Sequence, residues 1–67
     1  MQISVNKQLK EIPEESDLVS LLKQLNIKDK SSIAIAVNQQ VIPRQEWSKK
    51  ILKEEDKVLL ITAYEGG

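Results

Sequence analysis

The sequence predicts a two-layer α+β fold, a mixed sheet of four to five strands with one helix packed across one face. Three observations lead to it. Apolar residues alternate with polar ones near the N-terminus, large apolar residues alternate with small ones in the middle of the chain, and a short apolar run lies near the C-terminus. One stretch instead spaces its leucines at the period of a helix. With 67 residues there is room for only one small core, and a chain of this size buries about 60% of its unfolded surface. One helix over one sheet needs only two layers.

The elements follow in order. Ile3 and Val5 alternate with Gln2, Ser4 and Asn6, as in a half-buried strand. Asn6-Lys7 turns the chain, and Leu9 to Ile12 offers a short, irregular return strand. Pro13 has no amide hydrogen and stops the ladder. Ser16 is the expected N-cap of a helix, with Asp17 at the positive end of its dipole. Leu18, Leu21, Leu22 and Leu25 then fall at i, i+3, i+4 and i+7, one apolar face. Asn26 suits the left-handed residue that closes a helix, with Ile27 folding back on Leu22.

Beyond the helix, Ile33, Ile35 and Val37 point one way while Ser32, Ala34 and Ala36 point the other. Asn38-Gln39 turns into a short Gln40-Val41-Ile42 segment, and Pro43 opens a helical turn through Trp47. Ile51 and Leu52 are expected to re-enter the core, Glu54-Glu55-Asp56 to form a polar turn, and residues 57–63 to form the last strand. Strand, strand, helix, strand, short strand, strand is a ubiquitin-like β-grasp pattern. Residues 1–63 make one domain, and 64–67 a flexible tail.

Composition removes several function classes. Ten basic and ten acidic residues cancel and are interspersed, so neither nucleic acid nor a membrane is an expected partner. No apolar stretch approaches the roughly 20 residues of a membrane-spanning helix, and the N-terminus lacks a signal-peptide pattern; a cytoplasmic protein is expected. There is no cysteine or histidine, hence no disulfide, zinc site or imidazole base. Without a Gly-rich phosphate loop or a nucleophile–base pair, the chain is not expected to be an enzyme.

The only two glycines are Gly66 and Gly67, side by side at the C-terminus. Lacking Cβ atoms, they form a thin tail with an unhindered carboxylate, suited to insertion into another protein's active site. Tyr64-Glu65-Gly66-Gly67 follows directly on the last strand, and four extended residues reach about 13 Å. A frayed polar end of no consequence is the competing reading of the tail alone.

The run Ala36-Val37-Asn38-Gln39-Gln40-Val41-Ile42-Pro43-Arg44-Gln45-Glu46-Trp47, the Leu52…Asp56-Lys57-Val58 run and the Gly-Gly end resemble the ThiS family, the sulfur carrier proteins of thiamin (thiazole) biosynthesis. The resemblance covers essentially the whole chain. One departure is Glu55, where the family usually has a glycine. The resemblance implies a protein carrier with no bound cofactor. An E1-like adenylating enzyme would use Mg-ATP to adenylate the Gly67 carboxylate. A desulfurase system would supply the sulfur that converts it to a covalent thiocarboxylate. Thiazole synthase would then take that sulfur. Transient encounters of this kind suit a monomer. The lack of cysteine fits, because no internal thiol can attack the activated end.

Other residues carry two readings each. Trp47 is a core plug or a recognition anchor; Arg44, three residues before it, can stack on the indole or dock a partner. Tyr64 packs at the base of the tail or guides docking, and Glu65 is a solvated charge. The run Val58-Leu59-Leu60-Ile61 is apolar on both faces, so Leu59 and Ile61 are candidate partner contacts on the open sheet face unless other segments cover them. The small subunit of molybdopterin synthase, a ubiquitin-like modifier and a plain β-grasp interaction domain stay open as alternatives.

Overall fold

In the computed structural model, residues 1–27 and 32–62 are described. Five strands form one sheet: β1 (Gln2–Val5), β2 (Gln8–Glu11), β3 (Ile33–Val37), β4 (Gln40–Ile42) and β5 (Lys57–Thr62). Their order is β2-β1-β5-β3-β4, which makes β5 the central strand. β1 and β5 run parallel, and the other neighbours are antiparallel. Helix α1 (Leu18–Gln24) and a 3₁₀ turn (Arg44–Lys49) complete the fold.

Both hairpins close through two-residue loops with positive φ at both positions, 51° and 72° in Asn6-Lys7 and again in Asn38-Gln39. These are type I′ turns, whose twist matches that of the flanking strands. Asparagine leads each loop because it tolerates the left-handed region better than other side chains. Glu55 also has a positive φ, 70°. The turn before β5 therefore keeps a glycine-like backbone despite the glutamate, at the steric cost of a Cβ there.

The core lies between α1 and one sheet face. Ile3, Leu18, Leu21, Leu22, Ile35, Leu52 and Val58 are all at most 3% exposed, and Leu25 and Ile27 pack against them. The helix ends as its sequence predicts. Asn26 has φ 61°, its N–H donates to Lys23 C=O (3.1 Å), and Ile27 N–H donates to Leu22 C=O (3.0 Å). That is the Schellman pair of hydrogen bonds.

Four expectations need correction. The N-cap is Asp17, whose Oδ1 accepts from Ser20 N–H (2.7 Å); the Ser16 hydroxyl instead donates to Pro13 C=O (2.7 Å). Ile51 does not re-enter the core: it is 45% exposed and forms an isolated bridge to Asp17, while Leu52 alone is buried. The return strand begins one residue earlier, at Gln8, and ends at Glu11; Ile12 is buried beyond it, its N–H donating to Met1 C=O (2.9 Å). The helical turn continues past Trp47 to Lys49. The described part of the last strand ends at Thr62, and Ala63 lies outside the described residues.

Candidate functional site

β5 places the candidate site, because it leads to the C-terminus from the centre of the sheet. Its side chains alternate. Val58 is buried against α1 and Leu60 partly so, whereas Leu59 and Ile61 are 46% and 49% exposed on the opposite face. The register continues that apolar surface sideways: Leu59 lies opposite Ala36, Ala36 opposite Val41, and Ile61 opposite Ala34. Val41 is 68% exposed. With alanines between them, Leu59, Ile61 and Val41 stand clear of their neighbours on one side of the sheet. The sequence leaves open whether other segments cover Leu59 and Ile61; the described residues leave both exposed.

A hollow of about 240 Å³ lies beside Leu59, lined by Ser4, Asn6, Lys7, Ala36, Gln39 and Lys57 among others. The two type I′ turns rim it, so both hairpins frame the exposed half of β5.

Arg44 does not join this group. Its guanidinium lies 5.4 Å from the centre of the Trp47 ring, within cation–π range. It stands on the 3₁₀ turn, which packs against α1. Trp47 is 3% exposed, and its Nε1–H donates to Ile42 C=O (2.9 Å). Trp47 is thus the core plug of the two readings. Tyr64, Glu65, Gly66 and Gly67 lie outside the described residues.

Three polar residues that hold β5 are absent from the sequence-based site. Asp56 is nearly buried; its Oδ1 accepts from Asn38 Nδ2 (3.0 Å) and its Oδ2 from Lys53 N–H (2.8 Å). Asn38 Oδ1 accepts from Lys57 N–H (3.0 Å), and Asn38 N–H donates to Lys57 C=O (2.7 Å). These bonds fix the start of β5. Further along, Asn6 Oδ1 accepts from Leu60 N–H (2.8 Å) across 54 residues of sequence. The signal that points to the asparagines is their shared place, first in a glycine-free two-residue hairpin loop.

At the far edge, the Met1 amine donates to Ile12 C=O (2.7 Å) and pairs with Glu11 and Glu14, each at 3.5 Å. Burial pulls its pKa down, but the nearby carboxylates of Glu14 and Glu11 outweigh that and hold the amine above its ordinary value. Among the described residues, no group of three or more Asp or Glu side chains is gathered to hold a metal ion. No helix there is long and apolar enough to cross a membrane.

A five-stranded mixed sheet with parallel central strands and one helix across it defines a ubiquitin-like β-grasp protein. The ThiS family profile matches residues 3–67, and the chain belongs to that family. It is 34% identical over 67 residues to the sulfur carrier protein ThiS of Escherichia coli (strain K12), covering 100% of both chains. The crystal structure of the thiamine biosynthesis protein (ThiS) from Geobacter metallireducens superposes with a TM-score of 0.86 at 22% identity, covering 100% of both chains. The solution structure of a thiamine biosynthesis protein from the same organism gives 0.82 at 22% identity, over 100% of this chain and 88% of that one.

Proposed function

We propose that this ThiS-family sulfur carrier works through its C-terminal carboxylate. An E1-like enzyme binds the domain and draws the tail into its active site. With Mg-ATP held by that enzyme, a Gly67 carboxylate oxygen attacks the α-phosphorus, and pyrophosphate leaves. The acyl-adenylate makes the carbonyl carbon electrophilic, because AMP is a far better leaving group than oxide. Sulfur from a desulfurase system, released at the sulfide level by that system's reductant, then displaces AMP and leaves a thiocarboxylate. Thiazole synthase takes that sulfur into its substrate: the C–S bond at Gly67 breaks, an oxygen from water or the substrate replaces the sulfur on the carbonyl carbon, and the carboxylate is ready for recharging. The carrier binds no cofactor, acts as a monomer and works in the cytoplasm.

Family membership is the observation that carries this reading. Leu59 and Ile61 support it physically, as exposed apolar side chains on the strand that leads to the tail. Such groups favour a partner that removes them from water. They form the main contact for the adenylating enzyme, with Arg44 a peripheral one. Intact-mass spectrometry after incubation with ATP, a sulfur donor and a thiamin-pathway adenylating enzyme tests the chemistry. The expected mass gain equals one oxygen replaced by one sulfur and is absent when Gly67 is deleted. No gain with a demonstrably active enzyme refutes the carrier chemistry.

A further inference from the structure

The central strand has different support along its length. β1 accompanies β5 only at Ser4 opposite Lys57 and Val5 opposite Val58. The last main-chain bond between them runs from Asn6 N–H to Val58 C=O (2.9 Å). In a continuing parallel ladder, the next bond would run from Leu60 N–H to the Asn6 carbonyl. At Asn6, however, the backbone turns into the hairpin with φ 51°. The Asn6 side chain takes over, and its Oδ1 accepts from Leu60 N–H at 2.8 Å. One side-chain amide thus extends the β1 side of the ladder by one step, after the backbone has turned away. Among the described residues, β3 is the only strand paired with β5 from Leu60 to Thr62.

We infer that Asn6 is a positioning residue for the C-terminal tail. It holds β5 on course at the last point where the β1 side can grip it, two residues before Thr62. The position demands two properties together: tolerance of positive φ, and an acceptor oxygen close to the main chain. Glycine supplies the first alone, alanine neither, and aspartate both. Asn38 has the same place in the other hairpin, but two main-chain and side-chain bonds to Lys57 and one to Asp56 tie it down. Among the described residues, Leu60 N–H donates to Asn6 alone. Loss of the Asn6 amide therefore loosens the strand selectively at the tail end.

This inference rests on the proposed adenylation for its functional consequence, and its structural part is tested without it. Asn6→Gly keeps the turn and removes the acceptor. Amide hydrogen exchange by NMR is expected to speed up at Leu60 by about 3–10-fold, the scale of one hydrogen bond, while Val58 and the core stay protected and the melting temperature falls by no more than the few degrees one hydrogen bond carries. With the adenylating enzyme and ATP, kcat for adenylate formation falls by a similar factor of about 3–10, and KM stays near wild type because the apolar contacts Leu59 and Ile61 are unaltered. Asn6→Asp restores both Leu60 protection and kcat. Unchanged Leu60 exchange in Asn6→Gly overturns the inference at its structural step. Faster exchange with unchanged kcat, or a loss confined to KM, overturns the positioning role. If wild type itself forms no adenylate, the proposed function has failed; the exchange result still decides whether Asn6 holds the strand.

Discussion

The two faces of β5 carry the same kind of residue and meet opposite fates. Val58 and Leu60 turn toward α1, and Val58 keeps only 3% of its surface; Leu59 and Ile61, one residue along in each case, keep about half. Hydrophobicity is equal on the two sides; α1 covers one, and none of the described residues forms a layer over the other. The helix face contributes folding free energy through burial. The open face contributes almost none while the chain is alone, and its apolar area is available to a partner. Among the described residues, one α-helix lies across a sheet with two sides. Under the proposed function, stability and recognition fall on opposite sides of one strand.

The strongest way to break that division is in the core. Leu21→Ala should cost about 2–5 kcal/mol in urea unfolding, a large share of the roughly 5–15 kcal/mol that holds a small domain together. Leu59→Ala should stay within about 0.5 kcal/mol of wild type. Equal losses at the two positions would mean that the open face is covered in the folded chain.

The anchoring of β5 gives the next effect. Asp56→Ala strands Lys53 N–H and Asn38 Nδ2, which both donate to the carboxylate. It should destabilise the domain by about 1–3 kcal/mol, and amide exchange should locate the loosening at the start of β5. Glu55→Gly works in the opposite direction. It relieves a left-handed backbone at φ 70° and should raise stability by about 0.5–1 kcal/mol, the strain relieved less the extra freedom of unfolded glycine. A destabilised Glu55→Gly variant would show that the glutamate side chain contributes more than its backbone costs.

The smallest effect is at the sheet edge. The folded Met1 amine has a raised pKa, so its contribution is fully present below the ordinary pKa of the unfolded amine. It is lost as pH rises through the higher folded value. Denaturation midpoints should therefore drift downward over that alkaline window, and acetylating the amine should remove the drift. A drift that persists after acetylation belongs to other groups.

Local patterns made most of this fold legible in advance. The leucine spacing of α1, the left-handed Asn26 and the two hairpin loops are each set within a few residues, and all are present as read. The errors came where neighbours compete. Ser16 and Asp17 both suit an N-cap, and the choice depends on Pro13 C=O lying within reach of the Ser16 hydroxyl. Ile51 and Leu52 are equally apolar, but only Leu52 points inward once Ile51 bridges to Asp17. The grip of Asn6 on Leu60 was not legible at all, because a bond spanning 54 residues exists only once the sheet order is known. For the site, an apolar β5 was visible in the sequence, but the exposure of Leu59 and Ile61 required the register with Ala36 and Ala34.

The most direct test of the division between the two faces is the adenylation rate of the double variant Leu59→Ser, Ile61→Ser, measured alongside its melting curve. The account predicts a melting temperature close to wild type and at least a tenfold loss of kcat/KM, the scale of removing about 1.4 kcal/mol of interface contact. Wild-type kcat/KM in the folded double variant would contradict it and leave the open face without a role in recognition.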